Sequence, residues 1–243
     1  MIIFPAIDLK NGKCVRLYKG DFNKITIFNS SPFDQALEFQ KKGFTHVHLV
    51  DLDAALKKRS NNKKIILKIL KKTNLNIQLG GGIRTLKQIS FWIKNGVSTV
   101  VVGTMAVENL NILKRACILY PGQIAVALDV RKSFLAIKGW VKQTKIKLIH
   151  FSKKLEDFGV RRIIYTDINR DGTKDGINFV QLKKIINSVN IPLVVSGGVS
   201  NIKDVQQLDK FGNLDGIIIG KAIYDKTIEQ KKLVFFNKLF DAK

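Results

Sequence analysis

Ala6-Ile7-Asp8-Leu9 lies near the start of the chain, and Ala127-Leu128-Asp129-Val130 repeats it near the middle. Three further landmarks recur in the same order. Val50-Asp51-Leu52-Asp53 is matched by Thr166-Asp167-Ile168-Asn169, and Gly81-Gly82-Ile83 by Gly197-Gly198-Val199. Val101-Val102-Gly103-Thr104-Met105-Ala106 is matched by Ile218-Ile219-Gly220-Lys221-Ala222-Ile223. Four landmarks in one order are hard to obtain by chance. The period is far longer than a solenoid unit, so the repeat closes rather than stacks. It predicts two (β/α)4 halves related by a pseudo-twofold axis.

Working outward, eight apolar, β-branched runs read as strands: Ile2–Asp8, His46–Asp51, Asn76–Leu79, Thr99–Gly103, Ile124–Asp129, Arg162–Asp167, Leu193–Ser196 and Gly216–Ile219. They are continuous rather than alternating, as in parallel strands covered on both faces. Between them, Phe33–Lys42, Lys63–Lys72, Leu86–Asn95, Leu110–Leu119, Leu148–Phe158, Phe179–Ser188, Ile202–Phe211 and Glu229–Phe240 read as helices. Lys42-Gly43 and Lys94-Asn95-Gly96 are helix stops. Eight strands alternating with eight helices predict the α/β class and a single (β/α)8 TIM barrel over residues 1–243.

With 45% apolar residues the chain can fill one large core. No run has the length of a membrane span, and the opening lacks a signal peptide's basic lead, so the expectation is a cytoplasmic protein. Cys14 and Cys117 form no metal knuckle, and His46, His48 and His150 form no ligand cluster by spacing. Net charge is +23. One reading is a basic nucleic-acid-binding protein. The lysines are spread along the chain and no RRM, KH or zinc-finger pattern occurs. A lysine-rich surface is therefore favoured, and such a field still attracts an anionic substrate.

Two glycine turns follow the third and fourth strands: Gly81-Gly82, and Gly103 with Thr104. Gly197-Gly198 and Gly220-Lys221 repeat them. Glycine lets backbone N–H groups approach an anion at a helix N-terminus, so each pair is a candidate phosphate cradle. The bland alternative is a set of tight turns. Two cradles across one barrel mouth call for a small substrate phosphorylated at both ends. Asp8 and Asp129 end strands one and five, which face each other, and so reach the rim where barrels put their chemistry. Such a pair can act as general acid and base, the alternative being turn or cap aspartates. Asp51 and Asp167, ending strands two and six, are second candidates. Asp51, Asp53, Asp167 and Asp171 could also suggest Mg2+ or Ca2+, but the EF-hand spacing is absent. Leu9–Ser31 and Arg131–Lys145 read as the longest loops and hence as lids. Arg16 within the first could clamp an anion, and Trp140 within the second could stack on a flat heterocycle.

These residues resemble a known family. Pro5-Ala6-Ile7-Asp8-Leu9, Gly12 to Leu17, Gly20-Asp21, His48 to Leu52, Gly80 to Arg84, Ala127 to Val130, Gly139-Trp140, Thr166 to Thr173 and Ser196 to Gly198 resemble the ProFAR isomerases of histidine biosynthesis. The resemblance spans essentially the whole chain. It implies an Amadori rearrangement of an aminoaldose to an aminoketose, with Asp8 as base and Asp129 as acid. It adds His48, Arg84 and Thr166 to Arg16 and Trp140 as substrate-binding residues. It implies neither cofactor nor metal, and the expected partners are the bisphosphorylated substrate alone, with no nucleic acid, no membrane and a monomeric state. The cyclase subunit of the same pathway shares the repeat, both aspartates and the Arg-Asp-Gly-Thr segment at residues 170–173. The Pro-Ala-Ile-Asp-Leu start and the Gly-Trp pair resemble the isomerase. Val141-Lys142-Gln143-Thr144 departs from the pattern of either.

Overall fold

The computed structural model describes residues 1–56 and 61–241. Twelve strands run in chain order: β1 (Ile2–Lys10), β2 (Lys13–Tyr18), β3 (Asp21–Asn29), β4 (His46–Asp51), β5 (Asn76–Gly80), β6 (Thr99–Val102), β7 (Ile124–Arg131), β8 (Phe134–Ile137), β9 (Lys142–Lys147), β10 (Arg162–Asp167), β11 (Leu193–Ser196) and β12 (Leu214–Ile219). Eight of them pair in parallel in the order β1-β4-β5-β6-β7-β10-β11-β12 and back to β1, closing a barrel. β1 and β7 lie four places apart in this ring, on opposite walls.

The segments read as loops, Leu9–Ser31 and Arg131–Lys145, differ from expectation. Each is largely a pair of antiparallel strands, β2–β3 extending β1 and β8–β9 extending β7. Their two-residue turns carry positive φ at both central positions: Asn11 48° and Gly12 75°, Lys19 52° and Gly20 71°, Lys132 50° and Ser133 69°. That geometry matches the twist of a hairpin. The pairing also carries β1 past Asp8 and β7 past Asp129.

Most helices keep their expected limits. Pro32–Lys42 starts on a Ser31 cap and stops at Gly43, whose φ is 99°. Lys63–Lys72 and Leu110–Leu119 match to the residue. The stretch expected as one helix to Phe158 breaks into Leu148–Lys154 and a 3-10 turn, Glu156–Phe158, closed by a left-handed Gly159. No helix among the described residues is long and apolar enough to cross a membrane.

Side chains segregate into two apolar layers. The larger lies between barrel and helices and includes Ile3, Ile7, Leu9, Val47, Leu49, Val126 and Leu128. The smaller fills the barrel itself with Ile2, Phe4, Ala6, Val101, Ala125, Ile164, Val194 and Ile218. Gly216 makes room for Phe4: a Cβ there would lie 2.8 Å from its ring.

At the N-terminal end of the barrel, buried Arg162 lies over the Phe4 ring and places Nε 2.8 Å from Asp215 Oδ2. Removing one member of a buried pair leaves an uncompensated charge, whereas removing both need not. Arg162→Leu is expected to cost about 2–4 kcal/mol in urea unfolding, with Arg162→Leu/Asp215→Leu recovering at least about half. Equal losses in the two variants would show that the pair is not coupled.

Candidate active site

Strand parity builds the mouth of the barrel. Successive side chains alternate between faces, so β1 aims Ile2, Phe4, Ala6 and Asp8 at the axis. β7 likewise presents Ala125, Ala127 and Asp129. The cavity they enclose is about 230 Å³ and is lined at its rim by Asp8, Gly80, Gly103, Asp129, Thr166 and Gly220. Asp51 and Asp167 have the opposite parity and do not line it. They are therefore not brought to the mouth as second acid–base candidates. Asp51 accepts from Ala54 N–H and from Asn62 Nδ2, and Asp167 lies 3.7 Å from Arg170 Nε. Asp53 shares the Asn62 amide. Among the described residues no group of three His, Cys, Asp or Glu is placed to hold a metal.

Asp8 is buried and ion-paired with Arg16, whose Nη1 lies 2.5 Å from Asp8 Oδ2. Burial pushes its carboxyl above the usual range and the guanidinium opposes that rise. Arg16 is fixed from three sides. Its Nη2 donates to Ala6 O at 2.6 Å, its plane lies 5.4 Å over the Tyr224 ring, and Tyr224 Oη donates to the same carbonyl at 2.9 Å. A Cβ on Gly220 would stand 2.5 Å from Arg16 Cζ, so glycine there is what admits the guanidinium.

Across the mouth, burial also raises the Asp129 carboxyl, while hydrogen bonds from Thr166 and Trp140 oppose the rise. Trp140 lies in the β8–β9 hairpin and packs on the β2–β3 hairpin. A Cβ on Gly20 would overlap its indole ring. Trp140 thus sits between Gly20 and Asp129. Thr104 Oγ1 accepts from Lys138 N–H at 2.8 Å, tying the same hairpin to the fourth-strand turn.

A third carboxylate, Asp171, lines the same cavity. It was read in the sequence only as a possible metal ligand. Gly172 beside it, at φ 70°, lies against Leu17 O, and Lys19 N–H donates to Asp171 O at 3.1 Å. The first hairpin therefore props Asp171 into the mouth. Burial pushes it up to about 7; Arg16 lowers it, and Asp8 and Asp129 raise it. His48, also in the cavity wall, is driven down to about 3 by burial and by Arg16.

The glycine turns divide into two kinds. Gly81 and Gly82 hug the backbone at Asp51 and Ala54, and Gly197 and Gly198 that at Asp167 and Gly176, all four at positive φ. The helices behind them are self-capped, Leu86–Lys94 by Thr85 and Ile202–Leu208 by Asn201. Gly103 and Gly220 instead open the short helices Thr104–Glu108 and Lys221–Tyr224, which have no side-chain cap. Their backbones agree closely, φ −110° and ψ −91° against φ −109° and ψ −93°. Arg84 lines the cavity, but its guanidinium donates to the carbonyls of Ala54, Ala55 and Gly82. It joins the Gly82 turn to the segment after β4.

A family model described as "Histidine biosynthesis protein" matches residues 2–229. The chain belongs to that family. Named relatives agree along their full length. One from Pelagibacter ubique is 45% identical over 234 residues, 96% of this chain and 98% of its own. One from Clostridium novyi is 43% identical over 234 residues with the same coverage, and one from Bacillus cereus is 44% identical over 239 residues, 98% of this chain and all of its own. All three bear the name 1-(5-phosphoribosyl)-5-((5-phosphoribosylamino)methylideneamino) imidazole-4-carboxamide isomerase. In this member of the family, the groups the sequence reading missed are Asp171 and Tyr224. Asp171 lay in plain view in the Asn169-Arg170-Asp171-Gly172-Thr173 segment. Tyr224 had no signal, because its task is to floor Arg16 from the far end of the chain.

Asp171 binds its proton more tightly folded than unfolded. Its ionisation therefore costs stability as pH rises from the unfolded value of 3.8 to about 7, and the cost is constant above that. Asp171→Asn removes this slope. The variant should gain on wild type by roughly 2–3 kcal/mol between pH 5 and pH 8 in urea unfolding. A difference that does not change with pH would place the Asp171 carboxyl in the ordinary range.

Proposed function

We propose that this protein catalyses the Amadori isomerisation of ProFAR in histidine biosynthesis, with Asp8 as general base. The observation that carries the reading is Asp8 and Asp129 facing each other across one buried mouth, in a chain whose full-length relatives bear the isomerase name. That name favours the isomerase over the cyclase. The two uncapped helix starts at Gly103-Thr104 and Gly220-Lys221 take one substrate phosphate each, since their first N–H groups have no side-chain partner. Arg16 Nε, buried beside Gly220 without a partner, leaves one donor for the second phosphate. The positive field of a +23 chain steers such a doubly phosphorylated anion inward.

In this reading an acid donates a proton to the furanose oxygen, the C1–O bond breaks, and a Schiff base forms. Asp8 then removes the C2 proton. The resulting enolamine gains a proton at C1 and loses one from the C2 hydroxyl to become the ketone. Arg16 opposes the rise that burial imposes on Asp8, because an adjacent cation favours the charged form. Family resemblance assigns the acid to Asp129. A second reading assigns it to Asp171, which lines the same mouth and is pushed up to about 7 by burial, with Asp8 and Asp129 adding to the rise.

Purified protein is given ProFAR, with the cyclase and its glutamine-dependent partner supplied, and turnover is followed by absorbance. Asp8→Asn is expected to lower kcat by about 10²–10⁴-fold. The acid is whichever of Asp129→Asn and Asp171→Asn gives a comparable loss. If it is Asp171, the fall in kcat on the alkaline side disappears with that variant. Full turnover by Asp8→Asn would remove the base assignment, and no turnover by folded wild type would remove the isomerase.

A further inference from the structure

The barrel holds a second polar level below the mouth. His48 and Gln78 are register partners on β4 and β5, and both face the axis. Gln78 is 2% exposed. Its amide Nε2 lies 3.0 Å from His48 Nδ1. An amide nitrogen can only donate, so Nδ1 is the acceptor and the single proton of a neutral imidazole must sit on Nε2. The two residues open onto different spaces. His48 lines the mouth cavity beside Asp8, whereas Gln78 lines a separate cavity of about 140 Å³ beneath it, with Phe4, His46, Thr99 and Arg162. Gln78 Oε1 is buried without a partner. The glutamine therefore spends its hydrogen-bonding capacity on the histidine and leaves its own acceptor unfilled. Such an imbalance is costly unless the arrangement it enforces is needed.

We infer that Gln78 is a positioning residue that locks His48 as the Nε2–H tautomer, giving the mouth a neutral hydrogen-bond donor. The donor suits a substrate hydroxyl or carboxamide oxygen. Neutrality matters because Arg16 already supplies the positive charge that pairs with Asp8. A second cation beside that pair would hold the Asp8 proton-acceptor oxygens more tightly and blunt the base. Burial and the Arg16 charge both act in this direction on His48. The effect on turnover rests on the isomerase reading; the tautomer does not.

The test is heteronuclear NMR of the ring nitrogens in intact protein carrying ¹⁵N-histidine, with His46 and His150 assigned from single asparagine variants. Wild type is expected to show His48 protonated at Nε2 and bare at Nδ1. Gln78→Met, which keeps the volume but not the donor, should mix the tautomers. Gln78→Glu, whose carboxylate accepts, should move the proton to Nδ1. With ProFAR, Gln78→Met should lower kcat at least about tenfold while KM stays within about threefold. A wild-type proton on Nδ1, with Gln78 Oε1 accepting, would overturn the inference. So would a Gln78→Met protein that keeps both the wild-type tautomer and the wild-type kcat. Because the wild-type spectrum needs neither substrate nor variant, it decides the tautomer even if ProFAR is not turned over.

Discussion

Closing eight parallel strands into a ring leaves each strand one face for the axis, and every feature of the mouth follows from that constraint. Along β1 and β7 the inward set ends in Ala6 and Asp8, and in Ala127 and Asp129. Alanine below each carboxylate keeps the axis open. Glycine at 80, 103 and 220 and serine at 196 do the same on the other walls. Lower down the rule reverses, since Phe4 fills the space that Gly216 vacates. The barrel is thus narrowed at Phe4 and open at the mouth.

The electrostatics of that vessel are dominated by burial. Asp8, Asp129 and Asp171 share one buried space with a single committed guanidinium, that of Arg16. Burial raises all three carboxyls, and at Asp171 the other two add to the rise, so that it retains a proton where a free carboxyl would not. The three are distinguished by their partners. Asp8 has a cation, Asp129 has two neutral donors, and Asp171 feels the other two carboxylates against Arg16. Environment, rather than residue type, sets how tightly each of the three holds a proton.

The barrel was legible because each strand is a continuous apolar run and each helix an amphipathic one. Asp8 and Asp129 were legible because a charge ending such a run must reach water or a site. The hairpins were not read, although Asn11-Gly12 is a hairpin signal. Their strands are polar and exposed at several positions, so Leu9–Ser31 carries the composition of a loop. Asp51 and Asp167 were misplaced for a subtler reason. They sit at strand ends like Asp8, and only counting parity from the inward residues shows that they face away. The contacts between hairpins, such as Gly20 against Trp140, join distant residues and leave no local trace.

Parity does not leave the outward aspartates idle. Asn62 is wholly buried, and its amide nitrogen donates to Asp51 at 2.8 Å and to Asp53 at 3.1 Å. Its Oδ1 accepts from Gly12 N–H, and Asp53 accepts from Asn11 N–H. The turn of the first hairpin is thereby anchored to the end of β4. The same segment after β4 is held by Arg84 to the Gly82 turn. One polar chain therefore runs from the glycine turn after the third barrel strand to the hairpin that carries Arg16. The long helices, capped by Thr85 and Asn201, satisfy themselves and stiffen the frame. The short helices after Gly103 and Gly220 have no side-chain cap, and both glycines line the mouth. The long helices thus close their own ends, whereas the short helices at the mouth begin without a side-chain cap.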